Sequence, residues 1–426
     1  MSKRLSSVAL VAGGGLLFNF SSIGQFLAGR ATGASVLVMA LGLLAALGAL
    51  SSQRLLRTHG SVNFASPSEL LLTAGYGLLA ASAPLAAGFF SPQITASSGY
   101  RVSSGSSVGS SFILSWWMVA LAVVLVAVPL ATLRSRALLV ALGGIAIVAM
   151  GFSLLLVGGV LVQGGFHGNQ LSFFTLKGAS WRGVVAGLAI VTPFYFGTEA
   201  LVTRRVELLE EDRRFSRAGL IIVGLVLIFL QYAGVAGTDG TPYLPIDAPS
   251  LVGSYVSSAL SSVTTLVVFF SCAGMSLLFA YLFARRLEGI GMTTAYRAST
   301  VGLFMWLPIV LSMLVASDLR LDEQTHTYAA MTPFLNLAAV AGFTTALGLG
   351  FGCVRAIRLV VDNKLNGMEF VPPVVGLVGL SVAAFGYLWH DTTTSTWSQS
   401  WIVGLFGVAI AGGAVAVSKA VANRSN

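Results

Sequence analysis

The sequence has few charged residues and few cysteines. Only 9% of its 426 residues are charged, whereas soluble globular domains have roughly 25%. The two cysteines, Cys272 and Cys353, both lie inside apolar segments, so no disulfide framework is expected. Hydrophobic residues make up 56% of the chain. This composition excludes an ordinary soluble domain and predicts a polytopic membrane protein.

Motifs of catalysis, metal binding and nucleic-acid binding are missing as well. The sequence contains no Walker motif, no nucleophile elbow and no pair of carboxylates deep in an apolar segment, so we expect no enzyme activity. The four histidines fall in predicted loops without metal-ligand spacing, so we expect neither a metal site nor a cofactor. The net charge of +9 is spread over many loops, which disfavours a nucleic-acid partner.

Long apolar segments dominate the sequence instead. A membrane-spanning helix needs about 20 apolar residues, and the chain offers twelve candidate spans. They are Val8–Ala28, Ala34–Leu50, Leu70–Phe90, Phe112–Leu133, Ala137–Val162, Val184–Thr203, Ala218–Ala236, Val263–Ala284, Thr300–Ala316, Pro333–Val354, Val371–Trp389 and Ile402–Val421. The first run is longer than the apolar part of a signal peptide and many spans follow it, so we interpret it as the first transmembrane helix.

The basic residues predict the orientation of these spans. With the N-terminus in the cytoplasm, nineteen of the 24 Lys and Arg residues lie in cytoplasmic segments, and the other five lie in outer segments. The outer five are Arg30, Arg101, Lys177, Arg182 and Arg320. Cytoplasmic loops of membrane proteins carry such an excess of positive charge. We therefore expect a cell-membrane protein with twelve spans and both termini in the cytoplasm.

Two of the spans carry signals that break a helix. Span one contains Gly13, Gly14 and Gly15, and span six contains Pro193, Gly197 and Glu199 within seven residues. Freed backbone groups survive in a membrane only where they are buried or line a cavity, and an intramembrane carboxylate is a functional-site hypothesis by default. The two breaks are five spans apart, and because five is odd, a duplicated five-span unit has inverted topology. Corresponding breaks in inverted repeats indicate a transporter binding site.

Several segments resemble the amino acid–polyamine–organocation (APC) superfamily of permeases. The span-six step Phe194-Tyr195-Phe196-Gly197-Thr198-Glu199 is similar to the family's aromatic-rich Gly-x-Glu step. Further resemblances, in chain order, are Gly13-Gly14-Gly15-Leu16-Leu17, Thr241-Pro242-Tyr243 with Ala248-Pro249, Ala284–Gly289, and Phe334–Ala338 with Arg355 and Arg358. The cytoplasmic run Leu209-Glu210-Glu211-Asp212 departs from the family, because it lacks the prolines found there.

The resemblance implies an all-α fold of the leucine-transporter type in a single transmembrane domain, 1–426. Inverted repeats would cover about 8–163 and 184–358, with two extra helices at about 371–421. It also implies that Gly13, Gly14 and Gly15 hold the carboxylate of an amino acid, and that carbonyls near Phe194–Gly197 and Thr198 hold its ammonium. One or two of the aromatic residues Phe194, Tyr195 and Phe196 would act as a gate.

These observations predict a secondary transporter of an amino acid or related amine, working by alternating access. A neutral substrate is preferred because no basic side chain lies at the depth of the breaks, and a cationic one stays open through Glu199. Glu199 has either a coupling or gating role or a structural one, and coupling to H⁺ or Na⁺ or plain exchange stays open, with Ser271 or Ser276 available for sodium. The alternative is a non-transporting sensor or partner subunit on the same fold. The expected partners are the lipid bilayer and the small-molecule substrate, and the oligomeric state is open.

Overall fold

The computed structural model describes most of the chain. The described residues are Val8, 35–59, 63–95, 110–132, 136–165, 168, 181–198, 210–237, 248–315, 321–322, 327–328, 332–363, 367–388 and 400–425. Gly13, Gly14, Gly15 and Glu199 lie outside them. The break predicted in span one is therefore not described, whereas the break predicted in span six is described up to Thr198.

Helices make up nearly all of the described structure. They are α1 Ser35–His59, α2 Pro67–Thr95, α3 Ser110–Thr132, α4 Arg136–Gln163, α5 Trp181–Val191, α6 Glu210–Ala236, α7 Ala248–Tyr255, α8 Ser258–Gly289, α9 Thr294–Val315, α10 Thr332–Asp362, α11 Val371–Leu388 and α12 Ser400–Ser425. Two short 3₁₀ turns, Thr192–Tyr195 and Gly367–Glu369, precede α6 and α11. Strands β1 Leu321–Asp322 and β2 Thr327–Tyr328 pair antiparallel, with Leu321 opposite Tyr328.

Eleven of the described helices overlap predicted spans two to twelve, and α7 is an additional short helix in the predicted outer loop after span seven. Seven of the described helices are long and apolar enough to cross a membrane. The total of twelve spans stays a prediction, as does the division into inverted repeats. Apart from the break in span six, three boundaries differ by eight residues or more. Helix α1 continues to His59, past the predicted end at Leu50, and α6 begins at Glu210, before the predicted start at Ala218. Helix α10 continues to Asp362, past the predicted end at Val354. Arg355 and Arg358 lie on this extension, where long basic side chains can reach the polar interface while the backbone stays helical.

Helix α2 lies at the centre of the described packing, chiefly against α8 and α10. Tyr76 of α2 packs on Phe279 of α8 with ring centroids 5.7 Å apart, and the Ser276 hydroxyl donates to the Ala80 carbonyl at 3.2 Å. Helix α4, in contrast, leaves much of its apolar surface exposed. Exposed apolar side chains on such a helix are what a lipid-facing surface requires.

A second group of contacts surrounds the end of α5. Helix α1 packs against α11, α10, α6 and α5, and α11 also packs directly on α5. Small residues permit these close approaches: Gly48 of α1 faces Gly376 of α11, and Gly386 of α11 faces the Val185 carbonyl of α5. The segment after α5 packs against α1 and α10, and Leu380 and Tyr387 of α11 lie beside it.

Candidate functional site

The sixth predicted span is broken where its sequence predicts a break. Helix α5 ends at Val191, the 3₁₀ turn Thr192–Tyr195 follows, Phe196 is extended with φ −72° and ψ 152°, and Gly197 has a φ of +101°. Pro193 has no N–H to donate to the carbonyl four residues back, so the α-helical hydrogen-bond ladder stops here. The left-handed conformation at Gly197 carries no Cβ penalty, because glycine has no Cβ.

Side-chain hydroxyls bind carbonyls at both ends of the break. The Thr192 hydroxyl donates to the Leu188 carbonyl at 2.6 Å, and the Thr198 hydroxyl donates to the Tyr195 carbonyl at 3.1 Å. The Phe196 N–H donates to the Pro193 carbonyl at 3.2 Å. All residues from Val191 to Thr198 are buried. Buried backbone groups need partners of this kind when no water is available.

Tyr195 anchors the break to α1. Its hydroxyl donates to the Met39 carbonyl at 2.9 Å. The two segments approach closely because position 42 is glycine: a Cβ there would lie 2.5 Å from Val191 Cγ1 and 3.0 Å from Tyr195 Cε2. Phe194 and Tyr195 lie in the 3₁₀ turn and Phe196 is extended, so the three aromatic residues do not follow one another on a regular α-helix.

A small cavity of about 10 Å³ adjoins the break. Its volume is about what a single water molecule needs. The lining residues are Ala46, Ala49, Leu50, Thr192, Tyr195, Phe196, Thr198, Leu349 and Leu380. Of the aromatic residues expected to cover a substrate, Tyr195 and Phe196 line this cavity, whereas Phe194 is packed away from it and is 1% exposed.

Three buried polar groups were not singled out as substrate ligands by the sequence reasoning. Within the described part of the chain, the hydroxyls of Ser271 and Tyr387 and the Nε2 of Gln231 are buried without a hydrogen-bond partner. Ser276, the other serine considered for sodium, donates to Ala80 instead. The available signal for Gln231 and Tyr387 was a polar group inside an apolar run, which is expensive in a membrane. That signal does not reveal which helix the group faces.

Charged side chains cluster at the end that the basic residues predict to be cytoplasmic. Glu69 of α2 and Arg286 of α8 form an ion pair of 2.6 Å, with side chains 3% and 5% exposed. Glu288 pairs with Arg285 and, at 2.9 Å, with Arg297. Arg355 of α10 donates to the hydroxyls of Ser66 and Ser68 at 3.3 and 3.2 Å. These contacts join the ends of α2, α8, α9 and α10.

The described residues contain no group of three or more His, Cys, Asp and Glu side chains placed to hold a metal ion. From Val191 to Thr198 the break itself contributes only apolar side chains, hydroxyls and backbone. A ligand bound against this segment would therefore meet hydroxyl groups and backbone dipoles.

Comparisons with known proteins place the fold. No protein-family model matches the sequence, and no curated protein matches it significantly. Two solved structures of mutants of a manganese transporter from Eremococcus coleocola are similar in fold, with TM-scores of 0.51 and 0.50. Each is 13% identical and covers 99% of this chain and 93% of the transporter chain.

The fold is thus that of a helical membrane transporter, and the chain is a multi-pass membrane protein. At this level of identity the similarity shows the architecture, and it does not extend to the APC superfamily or to a substrate.

Proposed function

We propose that the protein is a secondary transporter of an amino acid or related amine across the cell membrane, working by alternating access. The substrate is bound where spans one and six are broken. The observation that supports this proposal most strongly is the buried break from Thr192 to Thr198, which packs against α1 and α10 of a transporter fold. A break of this kind inside a span is where transporters of this architecture bind their solutes.

The backbone of the break suits an ammonium group. The last carbonyls of an α-helix lack intrahelical partners and carry partial negative charge. The carbonyls of Leu188 and Tyr195 accept the hydroxyls of Thr192 and Thr198 in this structure. A substrate ammonium can replace these hydroxyls as the donor to the same carbonyls, and each displaced hydroxyl then has to donate to another acceptor. The N–H groups of Gly13, Gly14 and Gly15 would donate to the substrate carboxylate.

The lining of the adjoining cavity favours a neutral substrate. Ala46, Ala49, Leu50, Leu349 and Leu380 contribute only apolar surface to it. A charged substrate side chain placed here would be buried without a counter-charge, which is strongly unfavourable. The cavity has room for only about one water molecule, so α1, α10 or the break has to move before a substrate side chain can enter.

A manganese ion is the second candidate, because the structurally similar proteins are described as manganese transporters. Carboxylate, carbonyl and water oxygens suit Mn²⁺. Spans one and six together contain a single carboxylate, Glu199, and neither contains His, Cys or Met. One carboxylate balances half the charge of the ion, so the residues present fit a zwitterionic amine better.

A thermal-stability screen of the purified protein tests the substrate class. The amino acids, polyamines and MnCl₂ are added separately, each at the same concentrations. A ligand at 100 times its Kd stabilises the folded state by about 2.7 kcal/mol. We expect neutral amino acids to raise the unfolding temperature and MnCl₂ to leave it unchanged. Stabilisation by MnCl₂ alone would contradict the amine proposal and favour a divalent metal ion as the ligand.

Counterflow in proteoliposomes separates transport from sensing. We expect internal unlabelled substrate to drive accumulation of the labelled substrate identified in the screen. Binding without counterflow would favour the alternative, a sensor or partner subunit built on the same fold.

We expect Glu199→Gln to remove the dependence of uptake on a proton gradient while substrate binding survives. The amide keeps the size and hydrogen-bonding capacity of the carboxyl group, but it cannot carry a proton through the transport cycle. Uptake is measured in proteoliposomes over a range of external pH, and binding by thermal stability. Glu211→Gln, the same change in the first turn of α6, is the matched control. An unchanged pH dependence would leave Glu199 with a structural role only.

A further inference from the structure

The hydroxyl of Tyr387 lies against the break without a hydrogen-bond partner. Tyr387 is on α11, and its ring is partly exposed while its hydroxyl oxygen is buried. A Cβ added at Gly342 of α10 would lie 2.5 Å from Tyr387 Cζ and 3.2 Å from Pro193 Cγ. The tyrosine ring and the proline of the break therefore meet at the same glycine. Because position 342 has no side chain, the hydroxyl reaches this junction.

The backbone around Tyr387 holds α11 tightly to the helix that precedes the break. At the neighbouring position 386, a Cβ would lie 2.5 Å from the Val185 carbonyl oxygen and 3.0 Å from Ala189 Cβ of α5. The Tyr387 ring also contacts Phe343 of α10 edge to face, with centroids 6.5 Å apart. The side chain thus lies between α10 and the break, and movement of the break relative to α10 changes the groups that surround its hydroxyl.

A buried hydroxyl without a hydrogen-bond partner destabilises the protein, and a ring without a hydroxyl avoids this penalty. Tyr195, on the break itself, shows the opposite arrangement, because its hydroxyl donates a hydrogen bond to the Met39 carbonyl. The break provides carbonyls outside a regular α-helical ladder within the same region. Tyr195 therefore stabilises the described arrangement of the break, whereas the Tyr387 hydroxyl has no acceptor in this arrangement.

We propose that Tyr387 is a positioning residue for the break: in the alternate conformation its hydroxyl donates to a backbone carbonyl of the Pro193–Thr198 segment. Tyr195 and Tyr387 then stabilise opposite conformations of the transporter. This inference rests on the proposed alternating-access function, and it adds a named pair of residues that sets the balance between the two states.

The test compares Tyr387→Phe with Tyr195→Phe in the full-length protein. Each variant loses a hydroxyl and keeps its ring, and Tyr255→Phe is the control, since its hydroxyl donates to the Gly237 carbonyl at 2.9 Å outside the break. The readout is hydrogen–deuterium exchange of the peptide covering residues 186–198, with no substrate added. One neutral hydrogen bond changes such an equilibrium about two- to tenfold.

We expect Tyr387→Phe to slow exchange of this peptide by that factor and to keep or raise the unfolding temperature. Tyr195→Phe is expected to speed exchange and lower the unfolding temperature, and Tyr255→Phe to leave the peptide unchanged. Unchanged or faster exchange in Tyr387→Phe would overturn the proposal. Because no substrate is added, this result is independent of the ligand screen. Failure to bind any amine refutes the proposed function, whereas a missing exchange shift refutes only the role of Tyr387.

Discussion

Gly48→Val is expected to separate α1 from α11, destabilise the protein strongly and abolish transport. A Cβ at position 48 would lie 2.6 Å from both the Gly376 Cα and the Pro372 carbonyl oxygen. These are backbone atoms of a packed helix, so no side chain can turn aside and the helices must move apart. Overpacking of a core costs about 1–3 kcal/mol, and we expect a loss of about 3 kcal/mol because two backbones are in contact.

The separation also reaches the site. Helix α1 contributes Ala46, Ala49 and Leu50 to the cavity, and its Met39 carbonyl accepts the Tyr195 hydroxyl. Displacing α1 therefore removes one wall of the cavity and also breaks the hydrogen bond between Tyr195 and the Met39 carbonyl. The measurements are thermal unfolding in detergent and counterflow in proteoliposomes. Gly151→Val on α4 is the control, because nothing lies within 4 Å of a Cβ there. Equal stability of the two variants would contradict the close contact of α1 and α11.

Glu69→Ala is expected to destabilise the protein by about 3–5 kcal/mol, the usual effect of removing one partner of a buried ion pair. Its carboxylate lies 2.6 Å from the Arg286 guanidinium, and both side chains are almost completely buried. Arg286 also stacks over the Tyr76 ring, with Cζ 4.9 Å from the ring centroid. Without Glu69 the guanidinium stays buried, since the stacking ring and the packed ends of α2 and α8 surround it. The positive charge of Arg286 is then buried without the Glu69 carboxylate that balances it.

Removing both charges distinguishes this cause from a simple loss of packing. The double variant Glu69→Leu with Arg286→Met replaces the pair by apolar groups, and such replacements are often neutral or stabilising. We expect it to unfold at a clearly higher temperature than Glu69→Ala. Glu288→Gln is a comparison at a carboxylate that is 25% exposed and pairs with both Arg285 and Arg297, and we expect a smaller loss there than for Glu69→Ala. A double variant as unstable as Glu69→Ala would show that the pair's charge is not the cause.

The break in span six is the part of the site that could be predicted from the sequence. Pro193 removes a backbone donor wherever it is placed, and Gly197 accepts a left-handed conformation without a steric penalty. Both effects act within a few residues, so they did not depend on knowing the neighbouring helices. The structure confirms the break: helix α5 ends at Val191, and Gly197 has a positive φ.

The partners of the break could not be predicted in the same way. Tyr195 binds the carbonyl of Met39, which is 156 positions away along the chain. Tyr387 reaches the break because Gly342 has no side chain to block it. Glu69 pairs with Arg286, which lies 217 positions away along the chain. Apolar spans have similar composition on all faces, so their sequences carry little information about which helix packs on which.

The sequence alone determined that this is a membrane protein, where most of its spans lie, and that span six is broken at Pro193, because hydropathy and backbone chemistry are local properties. Only the tertiary structure decided that α1, α10 and α11 lie beside that break, that Tyr195 is anchored and Tyr387 is not, and that α2 and α8 share a buried ion pair. These features depend on close approaches between distant segments, which glycine permits but does not by itself specify.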